Sequence, residues 1–247
     1  MTGRTVSHTP SAQDIYFQNF SENQNLVAGV EADLWEPGGQ YPWPQAPTAV
    51  RIAAGNVADT PGGAGAHNVV VGALDENFDP VEFTLQTNGA APGVPSAQQI
   101  TRINYANVGQ CGTYNGANVG PVQIEDAAGA NLLGFIDTDH GETSQSMYTV
   151  PRGFKAFLIG AFLSGAGGKP VSIRMWQRCE ANVVAPPVAA KRHIITLPEL
   201  SGFSQFPLSA WVEFPEMTDL WFTATAEAGG NSSASAKYAL LLRPIVG

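Results

Sequence analysis

The sequence predicts an all-β protein built as an antiparallel β-sandwich or jelly roll. Segments of alternating polarity are frequent, and the clearest places Val81, Phe83 and Leu85 on one face of a strand. We find no window of about 12 residues that keeps the apolar spacing of a helix without a Gly or Pro. Turn-forming pairs such as Asn88-Gly89 separate the alternating segments. The expected strands cover residues 48–53, 69–74, 81–85, 100–105, 119–124, 132–136, 146–150, 155–163, 171–178, 193–197, 210–214, 220–226 and 236–242.

The chain of 247 residues is long enough for two β units and an extended N-terminal arm. We place the arm at 1–25, a first β-sandwich at 26–140 and a second, jelly-roll-like sandwich at 141–247. The boundary follows the most charged window, residues 137–142. The alternative is a single jelly roll with a long N-terminal extension. Near the C-terminus, residues 229–233 are expected to connect the last two strands as a hairpin.

The charge balance argues against two classes of partner. Charged residues are 13% of the chain, against a usual value of about 25%, and the formal net charge is −9. Nucleic-acid binding depends on clustered Lys and Arg, and the densest cluster here is the pair Lys191-Arg192. Anionic membrane surfaces are disfavoured for the same reason. We therefore expect neither nucleic acid nor membrane as a partner.

The cysteines and the N-terminus bear on where the protein is made. Cys111 and Cys179 lack the spacing of a zinc site, and we expect two small buried thiols, with a disulfide as the alternative. The N-terminal residues lack the apolar stretch of a signal peptide. We expect the protein to be made in a cytoplasm and to stay soluble.

No pattern of catalytic residues is recognisable. None of His8, His67, His140 and His193 lies in an HExxH arrangement, and no GxSxG nucleophile motif occurs. The strongest metal candidate is the acidic segment around His140, with side chains Asp137, Asp139 and Glu142. It lacks the glycine and distal glutamate of a calcium-binding loop, so we interpret it as an exposed polar loop. We predict no enzyme activity, no metal and no cofactor.

Two aromatic groups are candidates for binding a partner. Tyr16, Phe17 and Phe20 lie in the predicted arm, where they are suited to contact a neighbouring subunit. Trp35, Tyr41 and Trp43 lie in a segment rich in Pro and Gly. Exposed aromatics of this kind bind proteins or sugar rings, whereas buried ones are ordinary core residues, and the sequence leaves both interpretations open.

Two motifs resemble those of tailed-bacteriophage virion proteins. The segment around Trp35, Val-Glu-Ala-Asp-Leu-Trp-Glu-Pro-Gly-Gly at 30–39, resembles the W-x-x-G-G opening that precedes alternating strands in such proteins. The segment 141–156 is similar to their G-x-T-x-x-x-x-Y-T-[IV]-P-A-G-K strand and turn. Arg152 and Phe154 depart from the small residues of that pattern, so that the lysine is displaced to Lys155.

The resemblance implies a β-sandwich structural protein, usually a homotrimer. Its members include head decoration (cement) proteins, fibres and tail adaptors. The expectation is a capsid decoration protein that binds the outer surface of the major capsid protein shell and stabilises it. The alternative is a fibre or receptor-binding module, in which Trp35, Tyr41 and Trp43 or the loops near Asp139 contact a host glycan.

Overall fold

A computed structural model describes residues 13–114, 116–167, 169–183, 189–206, 211–227 and 232–245. Within these ranges the chain forms strands and connecting loops, and the paired strands of its sheets run antiparallel, which confirms the predicted all-β class. No described segment forms a helix with the length and apolar character needed to cross a membrane. The strands, in chain order, are β1 (Ile15–Leu26), β2 (Ala32–Asp33), β3 (Thr48–Ala54), β4 (Ala66–Leu74), β5 (Pro80–Gln86), β6 (Gln99–Ile100), β7 (Arg102–Cys111), β8 (Val122–Asp126), β9 (Leu132–Ile136), β10 (Tyr148–Thr149), β11 (Phe154–Gly167), β12 (Val171–Arg178), β13 (Arg192–Leu200), β14 (Gly202–Phe206), β15 (Val212–Phe214), β16 (Asp219–Ala226) and β17 (Ser232–Pro244).

The strands pack around two separate hydrophobic cores. Strands β3 to β9 form the sheets β6-β3-β8-β9 and β5-β4-β7, which enclose residues such as Val50, Ile52 and Val69. We call this part the insert unit. The remaining strands form the sheets β1-β17-β11-β14, joined by β15, and β10-β16-β12-β13, joined by β2. We call this part the terminal unit, and its core includes Leu158 and Leu240.

Alternation of side chains explains why most predicted strands are found. In β3, Val50, Ile52 and Ala54 are buried while the residues between them are partly exposed. In β12, Val171, Ile173 and Met175 are buried. One face of each strand therefore joins a core, where each buried aliphatic side chain contributes about 1.5–3 kcal/mol.

The predicted arm is different from what the structure shows. Residues 15–26 form β1, an edge strand that pairs with β17 from Ile15 opposite Leu242 to Leu26 opposite Ser232. The buried face of β1 includes the polar residues Asn19, Ser21 and Asn23, so the sequence lacks the apolar alternation of a strand. Those side chains are satisfied by hydrogen bonds: Asn19 Nδ2, for example, donates to the Tyr238 hydroxyl at 3.1 Å. Residues 1–12 of the predicted arm lie outside the described residues.

The predicted division at residues 25 and 140 also differs from the strand pairing. β2 pairs with β16, so the start of the predicted first sandwich packs in the terminal unit. The insert unit lies between β2 and β10 in the chain, so the strands of the terminal unit come from both before and after it in the sequence. That each unit folds by itself stays a prediction.

The connection predicted as the last hairpin does not join paired strands. β16 pairs with β2, β10 and β12, whereas β17 pairs with β1 and β11 in the opposite sheet. The same change of sheet occurs between β11 and β12. Residues 228–231 of this connection are themselves outside the described residues.

The cysteines do not form a disulfide in the structure. Cys111 is exposed at the end of β7 and Cys179 is half-buried, and both are free thiols. The expectation of two buried thiols is therefore wrong for Cys111. β7, which carries Cys111, extends beyond the core, and its last three residues are exposed.

Candidate interaction surface

The outer face of the β1-β17-β11-β14 sheet carries exposed aromatic side chains. Cross-strand neighbours share a face of a sheet, and the register places Phe20 opposite Lys237 and Lys237 opposite Phe162. Phe203 on β14 is two residues from the partner of Phe162, and the two rings stack with centroids 5.9 Å apart. Tyr16 lies on the same side of β1 as Phe20. We call Tyr16, Phe20, Phe162 and Phe203 the aromatic face.

The exposure of these side chains distinguishes them from core aromatics. Tyr16 is 55% exposed, Phe20 39%, Phe162 40% and Phe203 68%. The opposite side of the same strands supplies Leu158, Leu163 and Leu240 to the core of the terminal unit. A sheet with apolar side chains on both faces is expected where the second face meets another surface.

Part of the outer face is already covered within the chain. Phe157 lies opposite Leu241, on the same face as Phe162, because a bulge between Leu158 and Gly160 changes the alternation of β11. Phe157 is fully buried: the Lys155 ammonium is 5.4 Å from its ring centroid and the Arg243 guanidinium 5.5 Å. The uncovered part is the aromatic face.

The structure separates the three aromatics predicted in the arm. Tyr16 and Phe20 belong to the aromatic face, whereas Phe17 points to the other side of β1. Its ring lies 4.6 Å from Tyr148 and 6.2 Å from Tyr105, centroid to centroid. Phe17 lines a groove of about 670 Å³ between β1 and the insert unit.

Sequence reasoning missed the other half of the aromatic face. Phe162 lies in a run that is apolar on both faces, which predicts a buried strand and does not distinguish the exposed side. Phe203 lies in β14, which was not predicted as a strand. Their approach to Tyr16 and Phe20 depends on β1 and β14 lying in one sheet, which is long-range information.

For Trp35 and Tyr41 the structure decides between the two open interpretations. Both are 4% exposed and pack in a small cluster with Met147 and Trp221, so they are core residues of this chain and not exposed partner contacts. The Trp35 and Tyr41 rings meet edge to face at 5.2 Å, and Trp35 Nε1 donates to the Gly38 carbonyl at 2.7 Å. Burial of a Trp is favourable when its N–H has such an acceptor.

Trp43 is half-buried at the edge of this cluster. Its ring lies 5.1 Å from Tyr41 and 5.5 Å from Trp221, and the Arg178 guanidinium is 4.9 Å from its centroid. It lines a cavity of about 630 Å³ together with polar side chains that include Asp126 and Asn131.

A buried ionic network lies beside this cluster, at the contact between the two units. Asp219 is inaccessible to solvent and accepts hydrogen bonds from Arg102 Nε at 2.9 Å and Arg178 Nη2 at 2.7 Å. Thr149 Oγ1 donates to the same carboxylate at 2.7 Å. Arg102 begins β7 of the insert unit, while Arg178 and Asp219 belong to the terminal unit, so the network joins the two units.

Asp33 makes folding stability depend on pH. Its carboxylate is buried and accepts a hydrogen bond from the Tyr41 amide at 2.6 Å. Burial, helped by the negative charge of Glu31, raises its pKa to about 6 against the opposing effects of the Tyr41 amide and the positive charges of Lys191 and Arg178. The folded chain therefore holds this proton more tightly than the unfolded chain, whose Asp titrates near pH 3.8. The stabilisation is complete below about pH 4 and is lost as the pH rises through 6.

We therefore predict that Asp33→Asn changes the pH profile of stability. Between pH 4 and pH 7 the free energy of unfolding of the wild type should fall relative to that of the variant by up to about 3 kcal/mol, at 1.36 kcal/mol per pKa unit. Urea unfolding at several pH values measures this difference. An equal difference between the two proteins at pH 4 and pH 7 would contradict it.

Two of the four histidines named from the sequence make local contacts. His67 Nε2 lies 2.8 Å from the Gly63 carbonyl oxygen, and His193 Nε2 lies 2.6 Å from Thr196 Oγ1. These contacts place two of the predicted histidines in local turns and strands.

Comparison with known proteins adds solved structures of low similarity. No family model and no curated protein matches the chain. A structure of the infectious bursal disease virus Gx strain is 12% identical with a TM-score of 0.27, and covers 96% of this chain and 75% of that chain. The infectious bursal disease virus VP2 subviral particle is 9% identical with a TM-score of 0.26, over 96% of this chain and 74% of that one. These values assign neither a family nor a function.

Proposed function

We propose that the protein is a non-enzymatic structural component of a virus particle, of the tailed-phage capsid decoration type. It acts by binding the outer surface of the major capsid protein shell, as a homotrimer, and stabilises that shell. The observation that carries the proposal is the aromatic face, an exposed apolar surface on one sheet of the terminal unit. The motif resemblance at residues 30–39 and 141–156 supports the choice of particle.

The aromatic face has the composition of a binding hot spot. Aromatic side chains are enriched among the residues that dominate binding energy, because they bury large areas with few rotatable bonds. Lys237 lies between Phe20 and Phe162 in the same cross-strand row, and places a cation within the aromatic face. A surface of this kind suits a protein partner better than a nucleic acid. In a trimer the same surface is repeated three times, so weak single contacts add to lasting attachment.

The test uses the purified full chain and capsids assembled without it. Size-exclusion chromatography with light scattering gives the subunit count, and co-sedimentation gives binding to capsids. We expect a trimer that binds at regular positions and raises the temperature at which capsids rupture. Phe203→Asp and Phe20→Asp should each weaken capsid binding about tenfold or more, which corresponds to about 1.4 kcal/mol.

Val94→Asp is the matched control. Val94 is 83% exposed and lies between β5 and β6 of the insert unit, whereas the aromatic face belongs to the terminal unit. The same change of an exposed apolar residue to Asp should therefore leave binding unaltered. Equal loss of binding in the control and the aromatic-face variants would contradict the assignment of the surface. A folded wild-type trimer that does not bind capsids would contradict the function.

One observation favours a second function, a receptor-binding module. The half-buried Trp43 lines a cavity with polar side chains, an arrangement that suits a sugar ring. Binding of the chain to host-surface glycans, lost in Trp43→Ala and accompanied by no binding to capsids, would favour this function over the first.

A further inference from the structure

His140 meets two glutamates that are distant in sequence. Glu22 lies on β1, Glu36 follows β2, and His140 lies in the loop between β9 and β10. One ligand atom from each of the three side chains lies within 4.8 Å of the others. We call these residues the Glu–Glu–His cluster, and it joins the insert unit to the terminal unit.

The Glu36 carboxylate is the part of the cluster that most needs a partner. Its side chain is only 6% exposed, and neither carboxylate oxygen has a hydrogen bond from a described residue. His140 Nδ1 is 2.8 Å from Glu36 Oε1, an ion-pair distance that does not have hydrogen-bond geometry. A buried carboxylate whose oxygens lack hydrogen bonds is costly, and a bound cation would compensate it.

The surrounding charges add to this need. Burial raises the pKa of Glu36, and the negative charges of Asp137 and Glu22 raise it further, against the opposing effect of His140. Asp137 belongs to the loop that carries His140. The site thus gathers several carboxylates around one imidazole.

We propose that the Glu–Glu–His cluster binds one divalent transition-metal ion of the Zn²⁺ type, which links the two β units. One imidazole nitrogen with two carboxylates is a ligand set that suits Zn²⁺ better than Ca²⁺, which takes six to eight oxygens. Zinc bonds to such ligands are about 2.0–2.2 Å long, so the atoms around a tetrahedral ion are roughly 3.3–3.6 Å apart. The three ligand atoms lie within 4.8 Å of one another, so they would move by about 1 Å to reach this spacing around an ion. Water would complete the coordination.

This set differs from the one the sequence suggested. Of Asp137, Asp139, His140 and Glu142, only His140 belongs to the cluster. Asp139 is engaged elsewhere, because its Oδ1 accepts a hydrogen bond from the Ala117 amide at 3.1 Å. The two glutamates come from segments more than one hundred residues away, which no local motif could indicate.

The first experiment measures binding directly. Full-length protein without a histidine tag is treated with EDTA, transferred to metal-free buffer and titrated with Zn²⁺ by calorimetry, with stoichiometry checked by native mass spectrometry. We expect one Zn²⁺ per chain. Thermal unfolding should shift upward by about 5 °C or more when free Zn²⁺ is about one hundredfold above Kd.

The variants assign the ligands. Glu36→Gln keeps the shape and removes one charge, and His140→Ala changes an exposed loop residue, so each should weaken Zn²⁺ binding at least tenfold. The matched controls Asp139→Asn and His193→Ala remove an acid of the same loop and another histidine, and should bind as the wild type does. Circular dichroism checks that each variant is folded. If Glu36→Gln does not fold, His140→Ala still tests the site.

The outcomes are distinct from those of the capsid experiment. A wild-type protein with no saturable Zn²⁺ binding overturns the site, as does equal binding in Glu36→Gln, His140→Ala and the wild type. Binding that is lost in Asp139→Asn but kept in Glu36→Gln would also overturn it. Each of these results leaves the role of the aromatic face unaffected.

Discussion

Replacement of Asp219 by Asn is expected to lower the free energy of unfolding by about 3–5 kcal/mol, the usual cost of removing one partner from a buried ionic network. Asp219 is inaccessible to solvent and is the anion shared by Arg102 and Arg178. Without it, two guanidinium groups would face each other across a neutral amide. The Asn amide would also present a donor where every neighbour donates.

The network contains few other acceptors for these donors. Arg102 Nη1 donates to the carbonyls of Pro44 at 3.1 Å and Thr101 at 2.8 Å, but its Nε and Nη2 both donate to Asp219. Arg102 itself is 3% exposed, so water cannot easily replace the lost carboxylate. The cost is that of a buried, uncompensated charge, which is larger than the cost of a lost hydrogen bond.

Urea unfolding of wild type and variant measures the change, with the midpoint and the slope read separately. Asp79→Asn is the matched control, because Asp79 pairs with Arg152 at the surface, where their side chains are 43% and 47% exposed. That pair is expected to contribute no more than about 1 kcal/mol. Comparable losses in Asp219→Asn and Asp79→Asn would contradict the buried-network argument.

Replacement of Asp59 by Ala is expected to lower the free energy of unfolding by about 3 kcal/mol or more. Asp59 is inaccessible to solvent and holds three backbone amides: Oδ1 accepts from Ala66 at 2.8 Å and Val119 at 2.9 Å, and Oδ2 accepts from Gly120 at 2.9 Å. Alanine would leave these amides without an acceptor. Each unsatisfied buried amide costs about 1–3 kcal/mol.

Asp59→Asn is the graded control for this position. Its carbonyl oxygen can keep the bonds to Ala66 and Val119, while its NH₂ group cannot accept from Gly120. The expected loss of unfolding free energy is therefore smaller than for Asp59→Ala, because only one amide loses its acceptor. Hydrogen exchange measured by NMR should show faster exchange of the Gly120 amide in the Asp59→Asn variant, and of all three amides in the Asp59→Ala variant. The prediction is contradicted if the two variants are equally stable.

The fold class could be predicted from the sequence because alternation is a local property. Val81, Phe83 and Leu85 lie on one face whichever strands they pair with, and the same holds for Val171, Ile173 and Met175. The period of two follows from the geometry of one strand. Turn residues between such segments then mark the connections.

Long-range pairing could not be predicted in the same way. β1 is polar on its buried face, and Asn19 and Ser21 there donate hydrogen bonds to distant parts of the chain, the carbonyls of Gln145 and Ala236. The sequence between β16 and β17 resembles a hairpin connection, yet the two strands enter opposite sheets. Turn residues indicate that a strand ends, but they do not indicate which sheet the next strand joins.

The candidate sites follow the same division. From the sequence alone came the all-β class, most strand positions, the low charge, and Tyr16 and Phe20 as candidates for contacts with a partner. The tertiary structure alone decided that Trp35 and Tyr41 are core residues, that Phe162 and Phe203 share a face with Phe20, and that His140 meets Glu22 and Glu36. The physical reason is range: alternation and turn chemistry act between neighbours in the chain, whereas burial, stacking and charge compensation depend on residues that only folding brings together.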